Sequence, residues 1–126
     1  MNEHEIYREL LEEGVDDWLP VDRLIGLAGE LSAQPGEDQR DLTERLLGHL
    51  VRGGVMRVGD LGETGFEAWP GDADSAIRRV LESLDAVAWQ PAGGGCWLAN
   101  TAAGDREVSG TGQQVRLTAG APPGFP

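Results

Sequence analysis

The hydrophobic period of this chain changes sharply at Gly53-Gly54. Before that pair, apolar residues recur every three or four positions, as one face of an α-helix requires. After it they alternate, as a half-buried strand requires. The chain therefore opens with helices and continues into strands, which predicts an α+β architecture.

The helical half divides into three segments. Ile6, Tyr7, Leu10 and Leu11 form the first stripe, with Glu5, Arg8, Glu9, Glu12 and Glu13 between them and Gly14 as the expected stop. Pro20 suits a first helical turn, and Val21, Leu24, Ile25 and Ala28 mark a second helix over about 21–31. The polar run Gln34 to Asp38 is a turn, and Asp41-Leu42-Thr43-Glu44 has the spacing of a capping box that opens a third helix. Its core face is expected to be Leu42, Leu46, Leu47, Leu50 and Val51, and the glycine pair ends it.

Beyond the pair, Val55 to Asp60 alternates as a strand, Gly62-Glu63-Thr64-Gly65 supplies a turn, and Phe66 to Trp69 alternates again, so a hairpin is expected. Asp72 to Ser75 offers helix caps before the stripe Ile77, Val80, Leu81 and Leu84. Val87-Ala88-Trp89 and Cys96 to Ala99 read as two short strands around a Pro/Gly loop, able to pair with the hairpin. Three helices followed by a hairpin is the order of a winged helix-turn-helix. The expectation is a winged-helix-like core over residues 5–70, with the fourth helix and the 89–99 segment as additions, in a single α+β domain over 1–105. Apolar content collapses after Gly104, so residues 106–126 are expected to form a mostly disordered tail with at most a short strand at Gln114 to Leu117.

Charge constrains the partners. Across 126 residues, 22 acidic side chains oppose 10 basic ones, a formal net of -12. Every basic residue is arginine, which with 19 glycines suggests GC-rich coding. Such a field repels phosphate backbones and anionic membranes and speeds encounter with basic proteins, though it also serves solubility alone. No apolar run approaches the roughly 18 residues of a spanning helix, so no membrane partner is expected. A lone cysteine and an opening without the pattern of a secretory signal place the expected compartment in the cytoplasm.

The candidate reading surface of a winged helix is weak here. The exposed positions of helix 3 would be Asp41, Glu44, Arg45, Gly48, His49 and Arg52, and the hairpin adds Arg57 against Asp60, Glu63 and Glu67. A phosphate-tracking protein needs a basic stripe, so nucleic acid is not the expected partner. Chemistry is equally sparse. Cys96 with His49 as its base lacks a surrounding motif and is expected to be a buried small hydrophobe; Gly93-Gly94-Gly95 lacks the Lys-Ser/Thr of a phosphate loop. The two histidines, His4 and His49, stand apart in sequence with no zinc-like spacing, and no cofactor, metal or catalytic residue is expected. Of the tryptophans Trp18, Trp69, Trp89 and Trp97, most are expected in the core. Trp18 beside Glu12, Glu13, Asp16 and Asp17 is the candidate binding anchor, with Asp60, Glu63 and Glu67 as a second acidic patch.

The strings Gly14-Val15-Asp16-Asp17-Trp18-Leu19, Met56 to Leu61, Gly65 to Trp69 and Cys96 to Gly104 resemble, in that order, a group of short acidic actinobacterial proteins over about residues 5–105. That resemblance implies no particular activity. In size and charge alone the chain is also similar to immunity proteins that neutralise toxins by binding them. The expectation is therefore a non-enzymatic module binding a basic protein, an immunity protein in its most specific form, with a winged-helix regulator or DNA mimic as the alternative.

Overall fold

The computed structural model describes residues 2–33 and 38–113, with side chains to residue 109. The chain runs α1 (Glu3–Asp16), β1 (Leu19–Pro20), α2 (Val21–Ser32), α3 (Gln39–Leu47), a π-helical turn (Gly48–Arg52), β2 (Met56–Gly62), β3 (Gly65–Ala68), α4 (Ala73–Ala86), β4 (Trp97–Asn100) and α5 (Ala102–Gln113). The strands form one antiparallel sheet in the order β1-β4-β2-β3. No helix among the described residues is long and apolar enough to cross a membrane.

Local chemistry explains most of these boundaries. Asn2 opens α1 by a reciprocal cap: its side chain accepts from the Glu5 N–H at 2.8 Å while the Glu5 carboxylate accepts from the Asn2 N–H at 2.7 Å. Gly14 does not stop this helix, which continues to Asp16. A Cβ there would overlap the Asn100 side chain, so the glycine serves close approach to β4 rather than termination. Pro20 stands just outside α2 as its cap residue. For α3 the cap is Asp38, whose carboxylate accepts from the Asp41 N–H, so the helix starts ahead of the capping box expected at Asp41. Asp72 caps α4 through the Ser75 N–H at 2.8 Å.

The core is continuous. Ile6, Leu10 and Leu11 of α1, Leu24, Ala28 and Leu31 of α2, Leu42, Leu46 and Leu47 of α3, and Ile77, Val80 and Leu84 of α4 are buried against one face of the sheet. Leu19, Leu98 and Val58 stand level across β1, β4 and β2 and line that face. Leu50 is buried as expected, whereas Val51 is half-buried. β2 pairs with β4 over Met56–Gly59 and with β3 over Gly59–Gly62, so Gly59 is where the strand changes partner. A Cβ at this position would overlap the Glu67 carbonyl oxygen, which only glycine avoids.

Two further expectations are corrected. Val87-Ala88-Trp89 is not a strand: Ala88 and Trp89 take φ of 53° and 62°, and their N–H groups donate to the Asp85 and Leu84 carbonyls, closing the end of α4. Only the second half of the proposed pair, β4, is extended; it pairs with β2 of the hairpin as expected and lies between β1 and β2 in the sheet. The chain past residue 105 is also not wholly tail, because α5 continues to Gln113. Its few apolar groups suffice because Gly104 lets the helix approach the Val55 carbonyl, Val108 packs on the core, and Tyr7 Oη donates to Glu107 at 2.5 Å. The strand suggested at Gln114 to Leu117 and the Gly/Pro-rich end lie outside the described residues.

Candidate functional site

The acidic end of α1 divides into paired and unpaired halves. Glu12 is exposed and pairs with Arg8 one helical turn back, at 3.1 Å. Glu13 receives Arg23 at 2.9 and 2.6 Å, and the same guanidinium also contacts Glu9, tying α1 to α2. That hydrogen bond holds the Glu13 carboxyl below the usual range despite partial burial. Asp16 and Asp17 are exposed, and neither meets a cation among the described residues. Asp17 Oδ1 accepts from the Trp18 backbone N–H at 2.8 Å, which leaves its other oxygen for solvent.

Trp18 itself is 43 % exposed. Its ring lies against Phe66, with centroids 6.3 Å apart and planes tilted by 35°, and its edge abuts Gly65. The tip of the hairpin thus meets the end of α1, two segments far apart in sequence. Val15 and Leu61, at 48 % and 42 % exposure, add apolar surface on these same two segments. Gly14, Val15, Asp16, Asp17 and Trp18 line a shallow recess at this point.

The second acidic patch is not one surface. Leu61 stands opposite Phe66 and Asp60 opposite Glu67, so strand alternation puts the apolar pair on one face of the hairpin and the two carboxylates on the other. Like charges directly opposed are unfavourable, and each is relieved by a neutral donor: Trp69 Nε1 donates to Asp60 at 2.8 Å and Thr64 Oγ1 to Glu67 at 3.1 Å. The Arg79 guanidinium sits 3.8 Å above the Trp69 ring. Asp60 and Glu67 therefore share the Trp69 side, while Glu63 is exposed in the turn, two residues before the Gly65 that the Trp18 ring abuts.

Sequence reasoning selected Trp18, Asp16 and Asp17 and missed Phe66, Leu61 and Val15. The alternation of Leu61 and Phe66 signals a shared face, but nothing in the chain order signals that Trp18 covers it. The remaining tryptophans are all half-buried, with Trp69 and Trp89 packed against the core.

The other candidates resolve locally. On the exposed side of α3 and the π-helical turn, Arg45 pairs with Glu3 at 3.3 Å and Arg52 with Asp74 at 2.5 Å, so both cations are engaged by carboxylates. Cys96 is buried, and burial pushes its thiol up to about 12, away from the thiolate a nucleophile needs. His4 and His49 do not stand alone: they flank Tyr7 with ring centroids 6.2 and 6.3 Å away, and His49 Nε2 lies 3.5 Å from Glu3. Burial, then Glu107, pushes the Tyr7 phenol up to about 12. Gly93 donates its N–H to Asp22 at 3.0 Å, so a carboxylate already occupies an amide of the glycine-rich loop. Among the described residues no group of three or more histidine, cysteine or acidic side chains is placed to hold a metal ion. No protein-family model, curated protein or solved structure matches this chain.

Proposed function

We propose that this is a non-enzymatic cytoplasmic binding module that docks a basic protein on the surface formed by Trp18, Phe66, Leu61 and Val15 within a rim of Asp16, Asp17 and Glu63. One observation carries the reading: a half-exposed tryptophan is seated on a second aromatic ring and flanked by carboxylates that have no internal cation. An aromatic anchor excludes water at the centre of a contact, and rim charges steer the approach of an oppositely charged surface. The net charge of -12 extends that steering beyond the site. An immunity protein that neutralises a toxin domain by covering it is the most specific form of this reading.

The alternative is a winged-helix-like protein acting on transcription or mimicking DNA. The order of three helices and a hairpin supports the architecture, and the net charge supports mimicry better than DNA binding, because the arginines at 45 and 52 are engaged by acids. Binding kinetics with the product of the adjacent gene, where that product is basic, test the leading reading. Asp16→Arg with Asp17→Arg is expected to slow association and flatten its salt dependence, while Trp18→Ala mainly speeds dissociation. Folded variants with unchanged rates overturn the assignment of the surface, and salt-sensitive retardation of duplex DNA by the wild-type protein favours the regulator.

A further inference from the structure

We propose that Trp18 is a receptor for an arginine side chain supplied by the partner. The inference rests on the docking surface above and names the group that fills it. The molecule builds the same combination twice inside itself. Around Trp69, the indole N–H donates to Asp60 at 2.8 Å and Arg79 lies 3.8 Å over the ring. Around Trp89, the indole N–H donates to Asp85 at 2.8 Å and Arg40 forks onto that carboxylate at 3.3 and 3.1 Å. Each joins an indole N–H to an aspartate and adds a guanidinium from another element, stacked on the ring in the first and paired with the carboxylate in the second.

Trp18 has the ring and aspartates beside it, but its indole N–H is not bonded to them, Asp17 accepting from the backbone N–H instead, and among the described residues no guanidinium completes the set. Its ring is partly open, Asp16 and Asp17 border the recess beside it, and among the described residues no arginine reaches them and no acceptor meets its indole N–H. An arginine entering here would lay its planar guanidinium on the open part of the ring and direct its N–H donors to Asp16 and the outer oxygen of Asp17. Lysine has the charge but neither the plane nor the fork, so the site discriminates between the two. Desolvation is small because the recess is shallow, and the guanidinium is itself weakly hydrated.

The test uses the full chain and two pentapeptides, Gly-Gly-Arg-Gly-Gly and Gly-Gly-Lys-Gly-Gly, read by the four indole N–H resonances in a nitrogen-proton correlation spectrum. The arginine peptide is expected to shift the Trp18 resonance saturably, with the lysine peptide at least about threefold weaker. The resonances of Trp69 and Trp89 stay fixed and report that the fold is intact. Asp16→Asn weakens the arginine response, and Trp18→Leu abolishes the shifts of the Gly14 and Gly65 backbone amides. Equal responses to the two peptides, or no Trp18 shift at tens of millimolar peptide, overturn the arginine receptor. If partner binding still depends on Trp18 in that case, the docking surface stands without it; if that dependence is also lost, both fall.

Discussion

Trp69 and Trp18 meet the same hairpin, yet one is sealed and the other open. Trp69 is half-buried, with its N–H on Asp60 and a cation over its face. Trp18 rests on Phe66 beside carboxylates that lack a cation. The difference lies in what α4 can reach: it carries Arg79 to Trp69, whereas Arg8 and Arg23 are held by Glu12, Glu13 and Glu9. In a chain with so few cations, where they are spent decides which acidic surface is left for another molecule.

The largest effect should come from breaking the sealed side. Trp69→Ala is expected to cost about 2–3 kcal/mol, since the ring packs on the core, whereas Trp18→Ala should cost less than about 1 kcal/mol. Urea unfolding of the two variants measures this directly, and equal losses would mean that Trp18 is a structural residue. Next comes the contact that joins Trp18 to the hairpin. Gly65 has φ of 108°, and a Cβ there would lie 3.0 Å from the Trp18 ring. Gly65→Ala should therefore cost about 1–2 kcal/mol and displace the indole, read as a red shift in Trp18 emission with the other tryptophans replaced by phenylalanine.

A smaller effect of opposite sign is expected in the turn that positions Trp89. Ala88 holds φ of 53°, a region that alanine tolerates poorly, so Ala88→Gly should stabilise the fold by about 1 kcal/mol and raise its melting temperature by a few degrees. An unchanged or lower melting temperature would show that the turn is not strained at this position.

The smallest effects concern pH. Arg40, then Trp89, holds the Asp85 carboxyl below the usual carboxylate range, and the Ser75 N–H does so for Asp72. Lowered values mean that the folded state releases these protons more readily than the unfolded chain. The stability they contribute is present above the ordinary carboxylate pKa of about 4 and is lost as pH falls through the lowered values. Arg40→Met should therefore move acid unfolding to higher pH. At the alkaline end the sign reverses. Tyr7 and Cys96 are pushed up to about 12 from 10.0 and 9.0, so their contributions are complete below those ordinary values and vanish as pH rises through 12. Slow alkylation of Cys96 at pH 8, released by denaturant, checks the buried thiol.

Local pattern carried the helices and the hairpin because the signals that form them are local. Stripes at Ile6 to Leu11, Val21 to Leu31 and Ile77 to Leu84 predict buried faces that the structure contains. The errors arose where a group outside the segment took over, across the fold or just upstream in the chain. Gly14 resembles a helix stop until Asn100 crowds it, and the 87–89 segment has strand composition until the carbonyls ending α4 claim its N–H groups. Likewise, the weakly apolar stretch after Gly104 becomes helical where Tyr7 and the core receive it.

For the candidate site, sequence alone determined the excess of carboxylates, the scarcity of cations and the proximity of Asp16 and Asp17 to Trp18. Those properties are fixed by composition and by neighbours along the chain. Only the tertiary structure decided that Glu13 is paired with Arg23 of α2, that Asp60 and Glu67 turn away with Trp69, and that Phe66 comes beneath Trp18. The physical reason is that an ion pair or a ring contact depends on distance in space. The register of β2 with β3 and the packing of α1 on α2 set those distances, and no spacing in the chain encodes them directly.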